Sequence, residues 1–241
     1  SVKMYADGAL GSRGAALLQP YADDPENLGL IVTPQAHIEA VTERALRNGF
    51  QPCVHAIGDR ANRMILDVYE TALPRTGADA AARPRIEHAQ VIAPEDIARF
   101  AQLGVIASVQ AAHWASDMPW APARLGAQRI GRAYPWRSLL DAGAIVANGS
   151  DAPVEPANTL RTFHASISHE RESMTRPEAL ASMTIRAAYA NFQDRVAGSL
   201  SAGKFADFVV MDRDWLEIAR DEILQTKLVS TYFGGRQVFG A

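Results

Sequence analysis

The feature that most constrains the fold is a regular alternation of short apolar segments with amphipathic segments along the chain. The short apolar segments predict five β-strands, at residues 2–6, 52–57, 83–89, 105–109 and 144–147. Helices are predicted between them; the first opens at Thr33-Pro34, with a cap and a first-turn proline, and stops at Gly49. Strands that alternate with helices pair in parallel through right-handed crossovers, which predicts an α/β fold, either a barrel or a doubly wound sheet.

Two long connections and a change of pattern complete the organisation. Residues 7–33 are rich in Gly and Pro and predict a long loop, whereas residues 112–133 predict an irregular insertion that carries Trp114 and Trp120. Further helices are predicted at 159–170 and 177–190. From Gly198 onward the pattern predicts short strands with tight turns, at 207–212, 228–233 and 234–239. This indicates a separate small β-subdomain over residues 198–241.

Composition limits the partners. The net charge of -3, without a cluster of Lys or Arg, gives no basic field for nucleic acid. A single cysteine, Cys53, excludes an internal disulfide and favours a cytoplasmic setting. No apolar run approaches the roughly 18 to 20 residues that span a bilayer, so no membrane association is expected. The chain begins within a predicted strand, which suggests a truncated or processed protein.

Polar residues at the carboxyl ends of the predicted strands are the candidates for chemistry. His55 and His88 end two strands, and Asp151 follows the strand at 144–147 directly. In a barrel the loops at these ends gather around one mouth, so the three side chains are expected to converge, with Lys3 on the first strand facing the same centre. Two imidazoles and a carboxylate are a common ligand set for Zn²⁺ and related divalent ions. Each residue alone is more often a satisfied polar group or a turn residue; their joint placement favours a metal site.

Three further residues are candidates for binding a small-molecule substrate. His113 lies beside Trp114 in the insertion and is interpreted as a pocket residue that orients the substrate, with surface packing as an equal alternative. Asp7 and Arg13 lie in the long loop after Lys3 and are predicted to form a lid, with a turn at Asp7-Gly8 as the alternative for Asp7. Lys3 alone is also consistent with an enzyme that forms a Schiff base on this lysine, but that interpretation leaves the histidines and Asp151 unexplained.

Six blocks of residues, in order along the chain, resemble the amidohydrolase superfamily, in its branch of YtcJ-like and N-substituted formamide deformylase-like proteins. The blocks are VKMYADGALGSRGAAL at 2–17, VHAIGDRAN at 54–62, RIEHAQ at 85–90, ASVQAAH at 107–113, NGSDAPVEP at 148–156 and GSLSAGKFADFVVMD at 198–212. They cover nearly the whole chain and correspond to the C-terminal part of such a protein.

The resemblance implies a fold and a set of site residues. Residues 1–197 would be strands four to eight of a (β/α)₈ barrel of the TIM type, and residues 198–241 the C-terminal share of a small β-sandwich. His55 and His88 would be metal ligands on strands five and six, and Asp151 the strand-eight carboxylate. Lys3 would be the strand-four lysine that such enzymes carboxylate to bridge two metal ions. The cofactor would be one or two divalent ions, with Zn expected.

The resemblance also implies an activity, with one departure. The family hydrolyses carbon–nitrogen bonds outside peptides, in amides, formamides or cyclic amides, through a metal-activated water, with Asp151 as the catalytic residue that takes the proton. The family pattern also requires a His-x-His pair on the first strand, and this sequence contains none. We therefore expect an N-terminal segment of the same protein as a partner, and the sequence is compatible with a homo-oligomer. The alternative is a non-catalytic regulatory or scaffold relative, or an inactive fragment.

Overall fold

The computed structural model describes residues 1–240 and contains the predicted parallel sheet. Its strands are β1 (Val2–Tyr5), β2 (Pro52–Ala56), β3 (Arg85–His88), β4 (Ile106–Val109) and β5 (Val146–Asn148). All neighbours pair in parallel, and the spatial order β1-β2-β3-β4-β5 is the chain order. Doubly wound sheets reverse their strand order at a switch point, whereas a barrel does not. The observed order has no such reversal within the five strands.

Nine α-helices accompany the strands in the described part of the chain. They are α1 (Gln35–Arg47), α2 (Asp59–Thr76), α3 (Pro94–Leu103), α4 (Ala111–Asp117), α5 (Ala121–Ile130), α6 (Trp136–Asp141), α7 (Thr159–Ser166), α8 (Arg176–Met183) and α9 (Ile185–Ala190). Between residues 1 and 240, no helix combines the length and the apolar character that crossing a membrane requires.

The two faces of the parallel sheet differ in burial because side chains alternate along each strand. One row across the sheet is apolar and fully or almost fully buried: Met4, Val54, Ile86, Ala107 and Val146. The neighbouring row, offset by one residue, is Tyr5, His55, Glu87, Ser108 and Ala147, and it mixes polar with apolar side chains. Within that second row Tyr5 is 55% exposed. The polar face of the sheet therefore carries His55 next to the exposed end of β1.

Three predicted elements differ from the structure. The insertion at 112–133, predicted to be irregular, is mostly helical, because α4 and α5 occupy it. The helix predicted at 177–190 is two helices, separated at Thr184, whose φ of -120° and ψ of -95° are not helical. The first helix begins at Gln35, and its cap is Pro34 rather than Thr33, so Pro34 does not lie in the first turn.

A second, antiparallel sheet contains β6 (Phe208–Met211), β7 (Leu228–Phe233) and β8 (Arg236–Phe239). These strands confirm the three predicted short strands. The subdomain boundary at residue 198 stays a prediction, and its last residue, Ala241, lies outside the described residues. Several large apolar side chains of this sheet are more than 50% exposed: Val209, Phe233, Val238 and Phe239.

The long loop after β1 is fastened to the sheet by one buried carboxylate. The side chain of Asp7 is fully buried and accepts three backbone N–H groups, from Ala16 at 2.8 Å, Ile57 at 3.0 Å and Gly58 at 2.8 Å. Burial raises the pKa of Asp7 to about 7, although the three N–H groups act in the opposite direction. Because these donors come from the loop and from the end of β2, Asp7 joins the two.

We expect Asp7→Asn to lower the free energy of unfolding by about 2 kcal/mol, because an amide NH₂ would face a buried backbone donor that then has no acceptor. Asp24→Asn, in the same loop, keeps an acceptor oxygen for its bond from Asn27 and should change stability by less than about 0.5 kcal/mol. Urea unfolding of both variants checks this. Equal stability of the two would show that Asp7 does not hold the loop.

Candidate metal centre

Two of the predicted metal ligands lie side by side. His55, on β2, and His88, the last residue of β3, have ring centroids 4.5 Å apart with an angle of 69° between the rings. The side chain of His55 is only 12% exposed. Adjacent parallel strands thus bring the two imidazoles together at their carboxyl ends.

The backbone of His88 departs from the strand. In the sheet register His88 pairs with Ala56, so regular alternation would direct its side chain away from the face that carries His55. The φ angle of His88 is +77° and that of Ala89 is +46°, in the left-handed region that non-glycine residues rarely adopt. This turn at the strand end allows the imidazole to reach His55. Such strain clusters at binding and active sites.

A third imidazole also lies next to His88. His113, in the first turn of α4, stacks on His88 with ring centroids 5.9 Å apart and an angle of 14° between the rings. The predicted pocket residue therefore lies within the same cluster. We refer to His55, His88 and His113 as the imidazole cluster.

Burial favours the neutral form of His55 and His88. The pKa of His88 is lowered to about 3, first by burial and then by the neighbouring His55, His113 and Lys3. Burial also lowers the pKa of His55, with the charge of Lys3 acting in the same direction. Neutral imidazole is the form that binds metal ions.

Each ring of the cluster has a buried nitrogen that lacks a hydrogen-bond partner within residues 1–240. These atoms are Nε2 of His55, Nδ1 of His88 and Nε2 of His113. Asp7 Oδ1 lies 3.4 Å from Nε2 of His55 but does not meet hydrogen-bond geometry, and its carboxylate already accepts three backbone N–H groups. Buried polar atoms normally have hydrogen-bond partners. The three unpartnered nitrogens are therefore available to bind a cation or a substrate.

Lys3 and Asp151 are close enough for their charges to act on His55, but they do not complete a coordination sphere. The Nζ atom of Lys3 lies 5.3 Å from the Tyr5 ring, which itself packs on His55 at 5.4 Å. Asp151 follows β5 in an exposed turn, with a φ of +54°, and its charge raises the pKa of His55. No three His, Cys, Asp or Glu side chains of the described chain converge closely enough to hold an ion as they stand.

The other two predicted substrate residues have structural partners. Asp7 is the buried anchor of the loop. Arg13 forms a bidentate pair with Asp23 at 3.1 and 3.0 Å, and Asp23 also pairs with Arg124 from α5. This pairing fastens the long loop to the insertion. A role for Asp7 or Arg13 in substrate binding stays a prediction.

One group beside the imidazole cluster was not predicted from the sequence. Asp117, one helical turn after His113 on α4, forms hydrogen bonds with Gln90 and Tyr134. The spacing of four residues between His113 and Asp117 is the signal that could have indicated it, since residues i and i+4 share one face of a helix. The prediction of irregular structure for this insertion concealed the signal.

The residues present fit a divalent cation in their chemistry. His55 and His88 supply two adjacent neutral imidazoles with unused nitrogens, while Lys3 lies on β1 and Asp151 follows β5, the two edge strands of the described sheet. Imidazole and carboxylate together suit Zn²⁺.

Comparison with known proteins agrees with this chemistry. The family model Amidohydro_3, described as an amidohydrolase family, matches residues 1–239. The chain is 41% identical over 252 residues to Protein LONG AFTER FAR-RED 3 of Arabidopsis thaliana, covering 99% of this chain and 42% of that protein. It is 33% identical to the putative amidohydrolase YtcJ of Bacillus subtilis, with 99% and 47% covered. It is 27% identical to N-substituted formamide deformylase of Arthrobacter pascens, with 98% and 44% covered.

A solved structure shares the fold. An uncharacterized metal-dependent hydrolase from Pyrococcus furiosus superposes with a TM-score of 0.81 at 32% identity, covering 90% of this chain and 45% of that one. The chain thus spans less than half the length of each of these relatives. The resemblance to YtcJ-like and formamide deformylase-like proteins is confirmed, and the chain belongs to the Amidohydro_3 family of amidohydrolases.

Proposed function

We propose that this chain is the metal-binding part of a hydrolase that cleaves carbon–nitrogen bonds other than peptide bonds. The observation that carries the proposal is the pair of largely buried imidazoles, His55 and His88, whose ring centroids lie 4.5 Å apart at the ends of adjacent strands and which each carry a buried, unpartnered nitrogen. Family membership supports the hydrolase class, and the metal-dependent hydrolase from Pyrococcus furiosus supports the cation.

The proposal includes the architecture around the site. The five strands would be strands four to eight of a (β/α)₈ barrel, and β6 to β8 would be part of a β-sandwich. In the described chain β1 and β5 each pair on one side only, and the second sheet has exposed apolar side chains. Such edges and surfaces need cover. A further segment of the same protein, carrying the remaining strands and the His-x-His pair, would provide it, in line with relatives about twice as long.

Each site residue has a proposed role. His55 and His88 would hold the cation, with Asp151 and, in carboxylated form, Lys3 as further ligands to one or two ions, Zn²⁺ being the best match. A divalent cation in such a site polarises the scissile carbonyl and makes water a nucleophile at neutral pH. Asp151 would accept the proton of the attacking water and pass it to the leaving nitrogen, as general base and then general acid. His113 would orient the substrate with its free Nε2.

Formamides are the proposed substrates, because the relative from Arthrobacter pascens acts on them by its name. The reaction adds water across the C–N bond of R–NH–CHO: the bond to nitrogen breaks, the carbonyl carbon gains a hydroxyl group, and the nitrogen gains a proton. The products are an amine and formic acid. Two long connections, at residues 7–33 and in the α4–α5 region, would form the walls that choose R.

A non-catalytic role is the second candidate. It is favoured by the absence of a converged three-ligand group among residues 1–240. A scaffold that kept the fold and lost the reaction would have no need of the cation, so metal binding separates the two candidates.

His55→Ala and His88→Ala should each weaken Zn²⁺ binding by more than about 100-fold. Mutating a residue that hydrogen-bonds to a metal ligand already lowers metal affinity by about 10–100-fold, and losing the ligand itself should cost more. Calorimetric titration of the metal-free protein with zinc measures this. His37→Ala, at an exposed position on α1, is the matched control and should bind as the wild type does. Unchanged zinc affinity in both site variants would rule out this metal centre.

Asp151→Asn should lower kcat for N-substituted formamides by about 100-fold or more, the range for general acid–base groups, because the amide cannot take a proton from water. Formate release is the assay, and the zinc content should stay near that of the wild type, because Asn keeps an oxygen that can contact the cation and both histidine ligands remain. Asp221→Asn, at a side chain that is 89% exposed, is the control. Full activity of Asp151→Asn would overturn the role of Asp151.

A further inference from the structure

Three side chains behind the imidazole cluster form a closed ring of hydrogen bonds. Gln90 Nε2 donates to Asp117 Oδ2 at 2.9 Å and lies 2.5 Å from the Tyr134 hydroxyl. Tyr134 in turn donates to the same Asp117 oxygen at 2.6 Å. Gln90 and Tyr134 are almost fully buried, at 5% and 2% exposed. A single carboxylate oxygen therefore accepts both donors of the ring.

The ring joins two elements where the imidazoles stack. Gln90 lies two residues after His88, and Asp117 lies one helical turn after His113 on α4. The two histidine rings are parallel within 14°. Because α4 is only seven residues long, its orientation depends on such tertiary contacts more than on its own helical stability.

Tyr134 adds a second connection to the same place. Its backbone N–H donates to the Gln90 carbonyl at 2.6 Å, and its φ is +55°, a strained conformation for an aromatic residue. Such a conformation persists only when its surroundings hold it. Two contacts hold Tyr134: the closed ring of hydrogen bonds with Gln90 and Asp117, and packing against Trp136, with 6.3 Å between the centroids of the two aromatic side chains.

We propose that Asp117 is a positioning residue: as the acceptor for Gln90 and Tyr134, it holds α4 so that His113 stays stacked on His88 and presents its free Nε2 to the substrate. The identity of the substrate in this inference rests on the proposed function. The orientation of α4 and the stacking of the two histidine rings do not depend on it. The acceptor oxygen, rather than the negative charge, is the working feature, since both hydrogen bonds end on Oδ2. An amide oxygen in that position would accept the same two donors.

The variants Asp117→Ala and Asp117→Asn separate position from charge. Asp117→Ala removes the acceptor and should lower kcat/KM for N-substituted formamides by about 100-fold, the effect of a displacement of about 1 Å. Most of the loss should be in KM, with the zinc content unchanged. The kcat/KM of Asp117→Asn should stay within about 5-fold of the wild type, which corresponds to less free energy than one hydrogen bond to a charged group contributes. Asp141→Ala, on a helix outside the site with a 66% exposed side chain, is the matched control.

A structural measurement distinguishes failure of this inference from failure of the proposed function. In protein labelled with ¹³C-histidine, nuclear Overhauser contacts between the rings of His88 and His113 should be lost in Asp117→Ala and kept in Asp117→Asn, whatever reaction the protein performs. A protein that shows this pattern but does not hydrolyse formamides would contradict the substrate and keep the positioning role.

Two results would overturn the inference. One is an Asp117→Ala protein with the ring contacts and the kcat/KM of Asp141→Ala. The other is Asp117→Asn as impaired as Asp117→Ala, which would assign the role to charge. If Asp117→Ala does not fold, Tyr134→Phe removes one donor and keeps the ring packing; it should lower kcat/KM by about 10-fold, near the cost of one hydrogen bond, and weaken the ring contacts. Wild-type values for Tyr134→Phe would then overturn it.

Discussion

Parallel hydrogen bonding between successive strands is the constraint on which the site depends. Because all five strands run in one direction and follow chain order, their carboxyl ends meet at one edge. The register pairs Tyr5 with His55 and His55 with Glu87, which sets the height of His55 in the sheet. His88 ends the next strand and turns back toward it. A slip by one residue in β2 would move His55 to the apolar face.

The α4–α5 region connects the loops that surround the cluster. Ser116 of α4 donates to Glu155, in the segment after Asp151, and Asp117 of the same helix bonds to the segment after His88. At the start of α5, Trp120 packs so closely on Gly11 that a Cβ there would lie 3.2 Å from its ring. Three strand-end loops thus share one helical insertion. A change of sequence in this insertion would alter the walls of the pocket as a unit.

Sequence alone could predict the elements that periodicity and strand ends determine. The five strands, the helices between them, and the positions of His55 and His88 followed from alternation and from the geometry of parallel sheets. The turn of the His88 backbone did not, since a positive φ at a non-glycine residue depends on tertiary contacts. The helicity of α4 also escaped prediction, because a short helix is stabilised by packing rather than by propensity. The burial of Asp7 could not be predicted, because Asp7 is followed by Gly8 and an Asp-Gly pair is typical of an exposed turn.

The central claim is that His55 and His88 bind one divalent cation. Anomalous scattering at the zinc absorption edge, from crystals of the zinc-loaded protein, tests it most directly. The account predicts a peak about 2.0–2.1 Å from a ring nitrogen of each of the two histidines. A fully occupied zinc site that excludes both histidines, or zinc-saturated crystals without a peak beside them, would contradict it.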